Sequence, residues 1–174
     1  MNSIRRQNGF SLIELLIVVA IILVIAAIAI PNLMRARMAA NDSSAAGSIH
    51  AINVAEAAYF GSYQATIGFP ATLLPLGGPA PCTPNIGTAC LIDNTLASNG
   101  GGVGKSGYSF AATGFSTVGA TNNEFYATAT PNSNLTGTRA YCSTEDMVIR
   151  LQASGVVTQV GSYSSCLALT AMNN

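Results

Sequence analysis

The sequence has little charge of either sign. Charged residues make up 8% of its 174 residues, and seven basic and seven acidic side chains give a formal net charge of zero, whereas soluble domains average about 25% charged residues. A chain without excess positive charge is a poor candidate for non-specific binding to nucleic acid. Low charge combined with many Ser, Thr, Asn and Gly residues indicates a surface that contacts neighbouring proteins or lies outside the cell.

Motifs for catalysis and metal binding are also missing. The sequence contains no G-x-S-x-G, no H-E-x-x-H, no phosphate-binding loop and no EF-hand loop. His50 is the only histidine and no C-x-x-C pair is present, so a zinc site is a poor hypothesis. We interpret the adjacent Glu145 and Asp146 as a solvated turn, and Asp42 and Glu56 as solvated helix positions. We therefore expect no enzymatic activity, no metal and no cofactor.

The most distinctive feature that is present is an apolar run from Phe10 to Ile30, in which Glu14 is the only charged residue. As a helix this run would be about 31 Å long, roughly the thickness of the hydrocarbon core of a bilayer. An acid at the centre of a membrane span costs about 2.5–3.5 kcal/mol, so Glu14 requires a specific role. A cleavable signal peptide ending near Ala29 and a plain anchor are alternatives, but neither explains Glu14.

The order of residues at the start of this run resembles the N-terminus of the type IV prepilin family: Arg5-Arg6-Gln7-Asn8-Gly9, then Phe10, then Ser11-Leu12-Ile13-Glu14 and the apolar run. The resemblance implies that residues 1–9 are a leader, which a membrane prepilin peptidase removes by cutting between Gly9 and Phe10. The peptidase would then methylate the new amine of Phe10. Residues 10–30 would be a transmembrane anchor and later the filament core, where Glu14 would neutralise the Phe10 amine of a neighbouring subunit.

Elementary physics is compatible with these implied roles. Glu14 lies four residues after Phe10, which places both on one helix face, and a negative charge near a helix N-terminus is favourable. In a dry filament core an unpaired carboxylate is costly, whereas a paired one is much less so. Arg5 and Arg6 would hold the leader in the cytoplasm, but Arg35 and Arg37 flank the other end of the span equally. The orientation, with the N-terminus inside and the head outside, therefore depends on the resemblance.

Pro31 ends the continuous apolar run. It removes a helical hydrogen bond and crowds the carbonyl of Ala27, which predicts a kink at Pro31; a helix boundary at the membrane exit is the alternative. Residues 31–62 remain compatible with an amphipathic helix that packs on a head domain. Its apolar residues recur at steps of three and four: Ile49, Ile52, Ala55, Tyr59 and Tyr63.

Residues 63–174 form the predicted head. Residues 64–104 are rich in Gly and Pro and predict a long irregular loop. β-rich composition and alternation predict strands at 108–110, 124–130, 139–143 and 147–151, with a further strand from Val156 to Val160. The predicted fold is α+β: a long N-terminal helix with an apolar transmembrane half and an amphipathic half, carrying a small antiparallel meander of three to five strands.

Four cysteines allow three pairings, and an exported protein should have them oxidised. Closure of local loops favours Cys82–Cys90 with Cys142–Cys166, because short loops lose least entropy. The family resemblance also implies a disulfide that staples the C-terminal region, as Cys142–Cys166 would.

The resemblance implies a structural subunit of a type IV pilus, major or minor, that serves twitching motility, adhesion, biofilm formation or DNA uptake. Its partners would be identical or related pilin subunits, prepilin peptidase, the inner-membrane assembly platform and, before assembly, membrane lipid. It would reside in the inner membrane and then in the extracellular pilus. Alternatives are a pseudopilin of a type II secretion system and a membrane-anchored minor pilin with a binding role.

Overall fold

A computed structural model describes residues 9–116, 119 and 121–172. Arg5, Arg6 and the rest of the leader before Gly9 lie outside the described residues. The chain divides into two compact units at the bond between Ala36 and Arg37, which we call the N-terminal and the C-terminal unit. One helix, α1 (Leu12–Tyr63), supplies most of the described N-terminal unit and the first element of the C-terminal unit.

In the N-terminal unit, α1 is apolar and begins one residue after Ser11. This helix is long and apolar enough to cross a membrane, and no residue of its most apolar window is buried. Pro31 lies inside α1, so the helix does not end where the apolar run ends. Large apolar side chains therefore cover this part of the helix without any contact that buries them.

In the C-terminal unit, the remainder of α1 packs on a five-stranded antiparallel sheet with the strand order β1-β2-β3-β4-β5. This order is the simple meander that the sequence predicted, because each strand pairs with the next one in the chain. The strands are β1 (Tyr108–Phe115), β2 (Glu124–Pro131), β3 (Tyr141–Thr144), β4 (Arg150–Leu151) and β5 (Thr170–Ala171).

The main core lies between α1 and one face of this sheet. Alternate residues of β1 point into it, and the alanines of β2 that pair with them are small enough for the helix to approach closely, as in the pair Phe110 and Ala129. From α1 the core receives the side chains whose three- and four-residue spacing the sequence displayed: Ile49, Ile52, Ala55 and Tyr59.

The opposite face of the sheet is covered by the C-terminal segment. Cys142 pairs with Thr128 on this face, and its disulfide to Cys166 brings α3 (Tyr163–Leu167) against the sheet. Val160 and the two cysteines form a small second core there. The sheet of the C-terminal unit is therefore buried on both faces near its centre.

The long connection between α1 and β1 is more ordered than its composition predicted. It contains α2 (Asn94–Ala97) and two short 3-10 turns, and Asp93 caps α2 by accepting from the N–H of Leu96 at 2.9 Å. Leu76 and Leu96 are almost fully buried in the main core. This segment is a part of the core and not a peripheral loop.

The predicted strand from Val156 to Val160 was wrong. These residues have no strand structure, and the edge of β4 is instead occupied by β5, with Arg150 opposite Ala171. Val160 is buried against the Cys142–Cys166 disulfide. Of the apolar residues that suggested a strand, Val160 covers the outer face of the sheet, whereas Val156 is exposed.

Candidate functional site

Gly9 and Phe10 precede α1 and are exposed to solvent. The Phe10 side chain is 79% exposed, and a Cβ atom added at Gly9 would meet no heavy atom within 4 Å. The peptide bond between these two residues is therefore accessible from outside, as a cleavage site must be.

Glu14 caps the N-terminus of α1. Its Oε2 accepts a hydrogen bond of 3.0 Å from the backbone N–H of Ser11, while the carbonyl oxygen of Ser11 accepts from the N–H of Leu15. This is one half of a capping box, in which an acid three residues after the N-cap satisfies the N-cap N–H group. In the single subunit, Glu14 therefore has a partner on its own chain, one residue beyond Phe10.

The C-terminal unit contains an acid that the sequence analysis placed in solvent. The interpretation of Glu56 as a solvated helix position was wrong, because its side chain is fully buried and neither carboxyl oxygen has a hydrogen-bond partner. Burial raises the pKa of Glu56 to about 8. The spacing already contained this signal, since Glu56 follows Ile52 by four residues and precedes Tyr59 by three on the buried face of α1.

Asp42 was also placed wrongly in solvent. It is half-buried and joins α1 to the sheet, since its Oδ1 accepts from the Tyr108 hydroxyl at 2.5 Å and from the N–H of Thr138 at 3.0 Å. Its Oδ2 accepts from the hydroxyl of Thr138 at 2.5 Å. Burial and the Asp42 carboxylate together raise the pKa of Tyr108. Asp42 is therefore a structural clamp.

The predicted turn at Glu145 and Asp146 is held by two side-chain contacts. Arg150 donates to Asp146, with a shortest distance of 2.5 Å, and this hydrogen bond lowers the pKa of Asp146 to about 2. The hydroxyl of Tyr163 donates to Glu145, which raises the pKa of Tyr163 to about 12. Among residues 9–116, 119 and 121–172, no three His, Cys, Asp or Glu side chains lie close enough to hold a metal ion.

Comparison with known proteins identifies the segment around Gly9, Phe10 and Glu14. Residues 4–30 match the family model of the prokaryotic N-terminal methylation motif. The N-terminal segment of this chain therefore carries the prokaryotic N-terminal methylation motif. The matched residues include the accessible bond after Gly9 and the capped start of α1.

Two proteins that are similar to the N-terminal part of this chain carry pilus names. The type IV wide pilus major component PilA4 of Thermus thermophilus is 62% identical over 39 residues, which cover 22% of this chain and 30% of the relative. The type IV major pilin protein PilA of Myxococcus xanthus is 46% identical over 55 residues, covering 32% of this chain and 25% of the relative. The chain thus spans less than a third of the length of either relative. Both names describe structural pilus components and not enzymes.

No solved structure matches this chain significantly. The C-terminal unit must therefore be understood from its own contacts. Two of those contacts are disulfides, Cys82–Cys90 in the connection before β1 and Cys142–Cys166 between β3 and α3. Their presence agrees with the disulfide-stapled α+β fold that the sequence predicted.

The structure brings only some of the prepilin residues together. Glu14 is held by Ser11, a partner that the S-x-x-E pattern could have revealed as a capping box. Phe10 lies exposed one residue before that pair, and Pro31 lies much further along α1. The site is therefore a short linear segment at the helix start and not a pocket built from distant residues.

Proposed function

We propose that this chain is a structural subunit of a type IV pilus, made as a prepilin and assembled into a filament from the inner membrane. The observation that carries the proposal is the prepilin motif joined directly to an apolar helix whose side chains nothing covers. Uncovered apolar side chains such as Leu12 at 79% and Ile28 at 66% exposure are stable only in lipid or against other apolar surfaces. A subunit that exchanges membrane lipid for copies of the same helix satisfies both conditions.

Processing would take place at the bond between Gly9 and Phe10, with methylation of the Phe10 amine. The exposure of both residues and the absence of any close contact around Gly9 support access by a prepilin peptidase. After cleavage, the new amine would lie one residue before Ser11, next to the cap that Glu14 provides.

Assembly would then use Glu14 to bind the Phe10 amine of a neighbouring subunit. In the single subunit, the carboxylate is held by a neutral backbone N–H group, whereas a positively charged amine is a stronger partner in a dry environment. Exchange of the Ser11 N–H for a neighbour's amine would therefore be favourable once water is excluded. Pro31, inside α1 without its own amide donor, is a place where the helix could loosen during this step.

The proposed topology places the leader in the cytoplasm, the apolar part of α1 in the inner membrane and the C-terminal unit outside. Residues 31–62 and the sheet would form the surface of the pilus. The assembly platform and the peptidase are the expected membrane partners. The two disulfides agree with an oxidising location outside the cytoplasm.

The mature N-terminus of the protein in sheared surface filaments tests this proposal. We expect a chain that begins at methylated Phe10 and is a component of the filaments. A chain that begins at Met1, or just after Ala29, would contradict the proposal, because it would indicate a plain anchor or a secretory signal peptide.

Deletion of the gene distinguishes a pilus subunit from a pseudopilin of a secretion system. We expect surface filaments to disappear while secretion of exoproteins continues normally. Normal filaments together with lost secretion would instead identify a pseudopilin of a type II secretion system. Deletion combined with assays of twitching, adhesion and DNA uptake would then assign the activity of the filament.

A further inference from the structure

A cavity of about 420 Å³ in the C-terminal unit is lined by small and apolar residues together with one histidine and two methionines, His50, Met147 and Met172. His50 lies in α1, Met147 lies between β3 and β4, and Met172 directly follows β5. Neither the prepilin segment nor the proposed filament function uses this cavity. Its lining combines one imidazole with two thioether groups.

Backbone hydrogen bonds bring the two methionines to the same edge of the sheet. Arg150 pairs with Ala171 in the ladder of β4 and β5, and the N–H of Met172 continues this ladder by donating to the carbonyl oxygen of Ile149 at 2.8 Å. Met172 is therefore opposite Ile149, and Met147 lies two residues before Ile149 in the chain. Met147 itself lies outside the ladder, in the turn before β4, and both methionines line the cavity together with Val148 and Ile149.

The helix brings His50 to the same place. Asn53 donates from Nδ2 to the carbonyl oxygen of Met147 at 3.4 Å, which fixes the methionine turn against α1. His50 precedes Asn53 by three residues, so the two side chains are neighbours on the helix surface, about 5–6 Å apart at Cβ. The imidazole of His50 thus lies one helical turn from the point where Met147 contacts the helix.

Met147 has an unusual backbone conformation for a methionine and is exposed to solvent, and apolar packing explains neither property. Its φ is 61°, in the left-handed region that residues with a Cβ seldom adopt, and its side chain is 38% exposed. His50 is also exposed, so solvent has a path to both side chains. An ion could therefore enter the cavity without unfolding the unit.

We propose that His50, Met147 and Met172 bind one Cu(I) ion. Thioether sulfur and imidazole nitrogen are soft or intermediate ligands that suit Cu(I), and they discriminate against Mg²⁺ and Ca²⁺, which require oxygen ligands. The four cysteines do not compete for the ion, because both pairs are disulfides.

The test is a competition titration of the full chain in detergent micelles with Cu(I). The protein is prepared without a histidine tag, so that His50 remains its only histidine. Ascorbate under argon keeps the copper reduced while leaving the disulfides intact. A chromophoric Cu(I) chelator reports the metal that the protein withdraws. We expect one Cu(I) per chain and a loss of affinity of at least about 10-fold in each of M147L, M172L and H50Q.

The matched control is M38L, which removes a half-buried methionine of α1 that does not line the cavity. We expect M38L to bind Cu(I) as the wild type does. Equal affinity in M147L, M172L and the wild type would overturn the proposal, as would an equal loss in M38L or a wild type that withdraws no Cu(I) from the chelator.

A second measurement guards against variants that fold poorly. In the wild-type protein labelled at the methionine methyl groups, one equivalent of Ag(I), a redox-inert substitute for Cu(I), should shift the NMR signals of Met147 and Met172 and leave that of Met38 in place. Unshifted signals for Met147 and Met172 would overturn the proposal without any substitution.

Discussion

Glu56 is a carboxyl group enclosed in the core between α1 and the sheet. With neither oxygen hydrogen-bonded, its charged form is poorly solvated, and its pKa rises from 4.5 to about 8. The folded protein therefore holds a proton there that the unfolded chain loses above pH 4.5. Stability falls as the pH rises from about 4.5 to about 8, because over this range the unfolded state binds fewer protons.

We predict that E56Q removes most of this pH dependence. Glutamine has the same shape but cannot ionise, so the variant should equal the wild type near pH 4 and exceed it at pH 8 by up to about 5 kcal/mol. Chemical denaturation of the full chain in micelles, followed by tyrosine fluorescence between pH 4 and 8, measures the difference. A gap between the two proteins that stays constant over this range would contradict the prediction.

The pKa of Asp146 is shifted in the opposite direction to that of Glu56, so its effect on stability has the opposite pH dependence. The hydrogen bond from Arg150 holds the pKa of Asp146 at about 2, below its ordinary 3.8, so this carboxylate contributes stability above pH 3.8 that is lost as the pH falls toward 2. We expect D146N to be less stable than the wild type at pH 7 and to approach it at pH 2. The same denaturation experiment at pH 2, 3, 4 and 7 checks this trend, and a deficit that persists at pH 2 would contradict it.

Glu14 has one observed role, as a helix cap, and one proposed role, in assembly, and one pair of variants can separate them. In E14Q the amide oxygen can still accept from the N–H of Ser11, but the negative charge is lost, whereas E14A loses both the cap and the charge. If the charge pairs with a neighbour's Phe10 amine, both variants should leave that amine unpaired, at a cost of about 3–5 kcal/mol. We expect the yield of sheared filaments to fall at least about 100-fold in both, with normal amounts of subunit in the membrane. Wild-type assembly of E14Q would exclude the charge role and leave only the cap.

At this scale, the sequence was most informative where a residue belongs to a linear motif. Gly9, Phe10 and Glu14 could be selected because their order alone carries the signal. Glu56 could have been placed in the core from its spacing, but its acidic character was given more weight than its position. The cluster of His50, Met147 and Met172 could not be found from sequence, because its members meet only after the sheet has formed its edge against α1.

The secondary-structure elements also fall into two groups: those that a local sequence pattern predicts and those that depend on tertiary contacts. The apolar half of α1, the buried face of its second half and the first three strands have patterns of their own, so sequence periodicity located them. β5 has only two residues, Thr170 and Ala171, and forms because the edge of β4 is free to pair with them. Such a strand is determined by tertiary contact and not by local preference. The segment at Val156 had the composition of a strand but lay over a face of the sheet and not at its edge.

The two disulfides differ in what they hold in place. Cys142–Cys166 closes a separation of 24 residues, and both its cysteines are fully buried beneath the C-terminal segment. Cys82–Cys90 closes a separation of only 8 residues in the connection before β1, and Cys82 is exposed. The cross-link that closes the longer loop removes more conformational entropy from the unfolded chain, so it should stabilise the folded protein more.

We therefore predict that the double variant C142A/C166A loses roughly 3–4 kcal/mol of stability, against roughly 2–3 kcal/mol for C82A/C90A. Alanine avoids leaving buried thiols at 142 and 166. Denaturant midpoints and slopes of the two variants and the wild type under one set of conditions give the comparison. A larger loss in C82A/C90A would contradict the order and would indicate that the connection before β1 holds the core together more than the C-terminal segment does.

At the scale of the molecule, most charged side chains of the described residues are already paired or buried within the chain. Lys105 lies 3.5 Å from Asp93 and Arg150 is bound to Asp146, while Asp42 and Glu145 accept hydrogen bonds from tyrosines. Glu56 is buried. In the filament proposed above, the contact surface would instead be the apolar part of α1, and the hydrophobic effect, not ionic attraction, would drive its burial.

This balance predicts how assembled filaments respond to solvent. Sodium chloride at 1 M reduces the Debye length to about 3 Å and weakens exposed ion pairs, whereas sulfate strengthens the burial of apolar surface. Any pair between Glu14 and a neighbour's amine would lie inside the helix bundle, where screening is weak. We therefore expect sheared filaments to remain sedimentable in 1 M sodium chloride and in 0.5 M ammonium sulfate, and to dissociate in a detergent that covers the apolar helices. Sedimentation followed by electrophoresis of pellet and supernatant measures the fractions. Release of subunits by salt alone, with filaments intact in detergent, would show that surface ion pairs hold the assembly and would contradict the apolar core proposed for it.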